Sequence, residues 1–175
     1  TVHGYKECQK EALNVLRIFN TKQIIKGAEY INNNIPKVYI ANHTTHLDVV
    51  VMNSIFHCGY VVSDLIKKSY IGRQMTEVLP VLVINREKQG SSTVDLMKHH
   101  IKNHGSLCLF PEGMLTHQDV LQVFRTGAFY TGYPVQPVII KYDPLIYDND
   151  LKMYLKKLLS VESLIINITI LPIEY

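Results

Sequence analysis

The chain has 175 residues, of which 47% are hydrophobic and 19% charged, and its formal net charge is +3. That length suits one domain with a full core and is short for two. The composition argues against a nucleic-acid binder, because Lys67-Lys68 is followed only by an isolated Arg73 and no basic stripe interleaved with aromatic residues occurs. A mild positive excess does suit anionic headgroups or phosphorylated substrates. Cys8, Cys58 and Cys108 are odd in number and scattered, with no Cys-x-x-Cys, and read as free thiols in a reducing compartment. No run approaches the 18 or more apolar residues of a membrane span. The longest, over residues 164–173, is interrupted by Asn167 and Thr169. The chain begins at Thr1 with neither Met nor a signal sequence, so it is expected to be a piece of a longer protein whose membrane anchor lies outside it.

From residue 4 to 20, Tyr5, Cys8, Ala12, Val15, Leu16 and Phe19 recur at helical spacing opposite Lys6, Gln9, Lys10, Asn14 and Arg17, which predicts an amphipathic N-terminal helix. Such a helix covers a core or lies in a lipid interface. A short strand turning at Gly27 follows, then a polar loop of Asn32-Asn33-Asn34 and Pro36, and a strand over 38–41. A helix holds Val49 to Phe56, and a buried strand holds Tyr60 to Val62. A helix of mixed polarity is expected over 67–78, stopped by Pro80, before a parallel-type strand over 81–84. Ser91-Ser92 opens a helix to His104 with Val94, Met97 and Ile101 inward; its His99, His100 and His104 read as a solvated face, with the four-residue spacing of His100 and His104 as a metal-binding alternative. Gly105 ends it. Strands over 106–110 and 135–142, a polar helix over 148–159 and a last strand over 164–171 complete the chain. Strands alternating with helices at short intervals predict a single α/β domain of three layers, with a mainly parallel central sheet flanked by helices.

Polar chemistry collects where these strands end. The first strand runs into Asn42-His43-Thr44-Thr45-His46-Leu47-Asp48. His43 and Asp48 are five residues apart, one at the strand end and one in the opening turn of the helix, so their side chains can meet across the turn. An imidazole whose Nδ1–H is held by a carboxylate exposes Nε2 as a general base, and an unperturbed pKa of about 6.5 leaves such a ring largely neutral near pH 7. No Gly-x-Ser-x-Gly elbow occurs in the chain, so the hydroxyl to be activated is assigned to a substrate. Two other readings stay open: Asp48 as a carboxylate favoured by the helix dipole, and His43, His46 and Asp48 as metal ligands, the latter without the spacing of a helical zinc site. Arg86 follows the strand over 81–84, where a guanidinium can fork onto a phosphate. Glu112-Gly113 follows the strand over 106–110, and Arg125 in Phe124-Arg125-Thr126-Gly127-Ala128-Phe129 adds a cation after the same loop.

Asn42-His43 with Asp48, residues 81–86, Phe110-Pro111-Glu112-Gly113 and Pro134-Val135-Gln136-Pro137-Val138 resemble, in order and spacing, the four blocks of the glycerolipid acyltransferases. The third and fourth blocks are most similar to the lysophosphatidylcholine branch. The resemblance covers residues 38–142 of one domain spanning 1–175. It implies transfer of an acyl group from acyl-CoA, a co-substrate, to the hydroxyl of a lysophospholipid, with no cofactor and no metal. It also implies His43 as general base and Asp48 as its orienting partner. Arg86 would hold the acceptor's phosphate, Glu112 and Gly113 would help bind its glycerol-phosphate part, and the fourth block would shape an apolar channel or pack the site. The chain departs from the family in having Met114 where Thr usually follows Glu-Gly, and Leu115-Thr116-His117-Gln118 where an Arg is often found; Thr116 and Arg125 are the candidate replacements. Asn85 stands where Asp is common. The implied setting is an intracellular membrane surface, endoplasmic reticulum in a eukaryote. A glycerol-3-phosphate acyltransferase and a non-catalytic lipid-binding relative are the alternatives, and no residue pattern speaks to oligomeric state.

Overall fold

The computed structural model describes residues 2–65, 73, 76, 79–84, 91–120 and 122–175. Helix α1 (Val2–Ile18) leads into β1 (Thr21–Lys26), and β2 (Val38–Ala41) is followed by α2 (Asp48–Ile55), β3 (Gly59–Ser63) and β4 (Val81–Ile84). Helix α3 (Ser91–His104), β5 (Leu107–Leu109), β6 (Val135–Asp143), α4 (Leu151–Leu159) and β7 (Leu164–Ile170) complete the described elements. The helix expected over 67–78 falls mostly outside the described residues; Arg73 and Thr76 are helical.

The strands form one seven-stranded sheet in the order β1-β7-β6-β2-β5-β3-β4. Every pairing is parallel except β6 with β7. Five strands, from β6 to β4, therefore run one way and share one C-terminal edge, while β7 and β1 run the other. The expectation of a mainly parallel sheet holds. The reversal at β7 means that residues 144–163, α4 included, begin and end at one sheet edge, since Asp143 pairs with Ile165, instead of crossing back to the other edge as a parallel connection does.

Two apolar clusters fix the layers. On one face, Leu16 of α1, Val51, Met52 and Ile55 of α2, and Tyr154 and Leu158 of α4 pack with Tyr39, Ala41, Val138, Ile140 and Tyr142 of the sheet. On the other, Met97 and Ile101 of α3 and Ala128 of a short 3₁₀ helix (Thr126–Tyr130) pack with Val38, Ile40, Leu107 and Val135. Strand β2 thus sends alternate residues to opposite faces and is buried along its whole length, as a central parallel strand must be. The amphipathic reading of α1 is realised as core cover, with Ala12 and Leu16 buried beneath it. Among the described residues no helix is long and apolar enough to cross a membrane.

One sequence-based expectation is corrected in α3. His99 and His104 are exposed, but His100 is buried, because the helical turn that places Met97 and Ile101 inward also carries position 100 against the sheet. Among the described residues its Nε2 has no hydrogen-bond partner, and it lies 2.9 Å from where a Cβ on Gly59 would sit. The ring is tilted against that of His104 at 4.8 Å, so the two do not offer a pair of outward-facing nitrogens. Burial, then the neighbouring His104 and His99, hold the pKa of His100 below its ordinary value.

The unfolded chain takes up a proton at such a histidine near pH 6.5 while the native state resists it, so the stability that neutral His100 supports is present above about pH 6.5 and is lost on acidification. Folding stability measured by denaturant should therefore fall from pH 7 to pH 5, and His100→Met should fall less steeply. Equal slopes for the two proteins would exclude His100 as a source of the decline.

Candidate active site

The C-terminal edge of the five parallel strands is where open α/β sheets place ligands, since the helices that follow leave a crevice there. Asn42, the first residue past β2, anchors the site to the sheet. Its Oδ1 accepts from the Ile140 N–H at 2.8 Å, and its Nδ2 donates to the Ile140 carbonyl at 2.9 Å and to Thr44 Oγ1 at 3.0 Å. The side chain thereby extends the parallel β2–β6 ladder one step beyond its last pair, Ala41 with Val138. A side-chain amide offers a donor and an acceptor at that spacing, as a peptide group does.

The next residue is His43, held at three points. Its N–H donates to Glu112 Oε1 at 3.0 Å, its carbonyl accepts from the Thr116 N–H at 2.7 Å, and its Nδ1 lies 2.8 Å from Asp48 Oδ2. A carboxylate offers only acceptors, so the proton sits on Nδ1 and Nε2 is left with a lone pair. Among the described residues no side chain hydrogen-bonds to Nε2. The ring stacks on Phe110 with centroids 4.2 Å apart, and its side chain is 21% exposed.

Asp48, in the first turn of α2, is fully buried, and both of its oxygens are occupied. Oδ2 also accepts from the backbone N–H of Thr44 at 2.6 Å and of Thr45 at 2.9 Å. Oδ1 accepts from the Tyr142 hydroxyl at 2.6 Å and, at 3.4 Å, from Thr45 Oγ1. Turning the chain sharply between β2 and α2 is what aims two successive N–H groups at one carboxylate. Burial and the adjacent Asp48 raise the Tyr142 pKa well above its ordinary value, which keeps the phenol a donor.

The loop after β5 supplies the other expected residues. Glu112 is buried, and its second oxygen accepts from the Gln122 N–H at 3.3 Å, so this carboxylate braces the backbone of two loops. Gly113 has φ of 73°, a conformation that favours glycine, and a Cβ there would lie 3.4 Å from Arg125 Nε. The Arg125 guanidinium thus rests over Gly113. Thr116 is brought beside His43 by its backbone, while its own hydroxyl is buried with no hydrogen-bond partner among the described residues. Arg86 lies outside the described residues.

Beside this loop a cavity of about 570 Å³ opens, lined by Val62, Ile84, Met97, Leu109 and Phe110 with Gly113 and Arg125 among its polar wall. Phe110 faces His43 and lines the cavity as well, so the dyad and the cavity share one wall. His46 does not join His43 and Asp48 as a third ligand. Its ring tilts against Tyr154 at 5.1 Å, burial lowers its pKa, and among the described residues no three His, Cys, Asp or Glu side chains converge as a metal would need. Tyr142, the Thr44 and Thr45 amides and the clasp made by Asn42 are the parts that sequence reasoning missed. The parity of β6 was the available signal for Tyr142, since it stands in step with buried Val138 and Ile140.

Residues 22–141 match the family model described as Acyltransferase. The chain belongs to the acyltransferase family. Among its relatives, a lysophospholipid acyltransferase of Arabidopsis thaliana is 32% identical over 116 residues, covering 61% of this chain and 29% of the relative. Lysophosphatidylcholine acyltransferase 2B of Rattus norvegicus is 29% identical over 125 residues, covering 67% and 24%. The acyltransferase chain therefore spans only about a quarter to a third of the length of these relatives. Its fold is similar to that of the 1-acyl-sn-glycerophosphate acyltransferase PlsC of Thermotoga maritima, with a TM-score of 0.69 at 18% identity over 97% of this chain and 68% of that one.

The clasp at Asn42 is open to test because its isostere reverses one contact. In Asn42→Asp an ionised oxygen replaces the amide that donates to the Ile140 carbonyl, and an unpaired buried polar contact of that kind costs about 1–3 kcal/mol. The variant should unfold at lower urea concentration at pH 7 and recover part of the deficit as the pH approaches about 4, where a carboxyl takes up a proton and can donate. A pH-independent deficit would contradict the clasp.

Proposed function

We propose that this chain carries the chemistry of an acyl-CoA-dependent O-acyltransferase that moves a fatty acyl group to the free hydroxyl of a lysophospholipid, of lysophosphatidylcholine or lysophosphatidate type. The observation that carries the reading is the His43–Asp48 pair, with Nδ1 held by a buried carboxylate, the ring partly exposed and stacked on Phe110 of the cavity wall, and no protein hydroxyl or thiol hydrogen-bonded to Nε2 among the described residues. A base so arranged has to draw its nucleophile from the substrate.

In the step we assign, Nε2 takes the proton of the lipid hydroxyl as its oxygen attacks the thioester carbonyl. The tetrahedral adduct then collapses, the carbon–sulfur bond breaks, and the thiolate of coenzyme A leaves with the proton returned by the imidazolium. Asp48 stabilises the imidazolium while it lasts and keeps the ring from rotating. No metal or cofactor is called for. The largely apolar cavity beside Phe110 suits an acyl chain, and Arg125 at its wall suits the acceptor's phosphate, a task the family resemblance also gives to Arg86. Glu112 and Gly113 act here through position: the carboxylate pins His43 and Gln122, and the glycine lets the guanidinium lie close.

The substrates dissolve in membranes, and the segment after Gly113 exposes Met114, Val120 and Val123, the last at 92%, in the loop that frames the site. We assign that loop to the membrane-facing rim of an enzyme on an intracellular membrane, endoplasmic reticulum in a eukaryotic cell. Cys58 and Cys108 are buried free thiols, in keeping with a reducing compartment.

In the full-length protein, His43→Ala should lower release of free thiol from acyl-CoA in the presence of lysophosphatidylcholine by about a hundredfold or more while the protein stays folded. Unchanged turnover would remove His43 as the base. Arg125→Ala should raise KM for the phosphorylated acceptor with little change in kcat, the mark of lost ground-state binding. An unaltered KM would take the phosphate from Arg125.

A further inference from the structure

Tyr142 lies at the far end of β6, 94 residues from Asp48 in sequence, yet its hydroxyl is 2.6 Å from Asp48 Oδ1 and buried. The other donor to that oxygen, Thr45 Oγ1, is at 3.4 Å, beyond a good hydroxyl contact. Oδ2 carries three bonds, one of them to His43. The carboxylate is therefore fixed in rotation by two different parts of the fold: the turn before α2 holds one oxygen, and the sheet holds the other through a phenol.

We propose that Tyr142 is a positioning residue of the acyl-transfer centre, setting through Asp48 both the orientation of the His43 ring and how strongly the carboxylate attracts the imidazolium. The inference rests on the acyl-transfer reading for its kinetic readout. A hydroxyl bonded to Oδ1 draws electron density from the carboxylate and weakens its pull on a protonated ring. Without that bond the carboxylate is less well oriented, so turnover falls, and it is a stronger partner for the imidazolium, so the ring takes up its proton at higher pH. Among the described residues the titratable groups that face this chain of contacts are Tyr154 beside Tyr142, Glu112 at the His43 backbone, His46 near Asp48 and His43, and the buried Cys108 thiol, which feels the Asp48 charge from β5. Among the described residues the side chains that hydrogen-bond to Asp48 are those of His43, Thr45 and Tyr142, and neither Tyr154 nor His46 is one of them.

The test uses the full-length protein with Tyr142→Phe, which keeps the buried ring, and with 3-fluorotyrosine at position 142, which keeps the fold and makes the phenol a stronger donor. In Tyr142→Phe, kcat should fall about tenfold with KM for acyl-CoA and lysophospholipid within about twofold, and the acid limb of the kcat–pH profile should move to higher pH; with 3-fluorotyrosine that limb should move to lower pH. The downfield proton NMR signal of the His43 Nδ1–H should shift in both proteins, with or without substrate. A loss of kcat with the acid limb in place in both proteins, or an unmoved Nδ1–H signal, would overturn the proposal and leave Tyr142 a packing residue. An inactive wild-type protein would instead count against the acyl-transfer reading, and the NMR signal would still decide the role of Tyr142.

Discussion

A carboxylate with no solvent contact is the constraint around which this fold is arranged. Asp48 is buried, and stripping water from such a group costs several kcal/mol unless donors replace the lost hydration. Five donors do so, drawn from the turn before α2, from His43 and from β6. Only the His43 contact belongs to a ring that reaches solvent. The burial of Asp48 therefore restricts the imidazole, whose Nδ1 has one strong partner in one direction, and an acceptor-only partner settles which nitrogen carries the hydrogen.

The sheet explains why these donors converge. Strands β2, β5 and β6 are neighbours and parallel, so the residues that follow β2 and β5 and the last residues of β6 arrive at one edge. Side-chain parity then sorts them. Tyr39 and Ala41 face the layer of α1, α2 and α4, as do Val138, Ile140 and Tyr142, and α2 opens on that same side with Asp48. The opposite side, under α3 and the 3₁₀ helix, keeps the cavity. Phe110 at the end of β5 stands at the boundary, against His43 and against the cavity together. The hydrogen-bonded network around Asp48 and the cavity thus meet at Phe110, at the end of β5.

Local patterns in the chain were enough for the elements and for the dyad. The run over 38–41 is apolar without interruption, as a strand covered on both faces must be, and the pair five residues apart across a strand–helix turn meets as its spacing implied. What lay beyond local pattern was contact between distant segments. Tyr142 is separated from Asp48 by most of the motif-bearing region, and Asn42 reaches a backbone 98 residues away. The family resemblance gives Glu112 a place at the acceptor, and what local pattern did not show is that the loop around it turns two N–H groups onto its oxygens. His100 was read with His99 and His104 as part of a solvated face, whereas the packing of α3 against β3 covers it. Each of these depends on which element lies next to which, and sheet order is a property of the whole chain.

Membership of the acyltransferase family and the dyad geometry meet at one claim: the carboxylate of Asp48 keeps the His43 ring in the tautomer that leaves Nε2 basic. The most direct measurement is kcat for thiol release by Asp48→Asn at saturating acyl-CoA and lysophospholipid, in protein whose melting temperature shows it folded. An amide there can present N–H to Nδ1 and stabilise the wrong tautomer, so the account predicts a fall on the order of a thousandfold or more. A variant that is folded and turns over within about threefold of the wild type, well short of the roughly hundredfold a general base supplies, would contradict it.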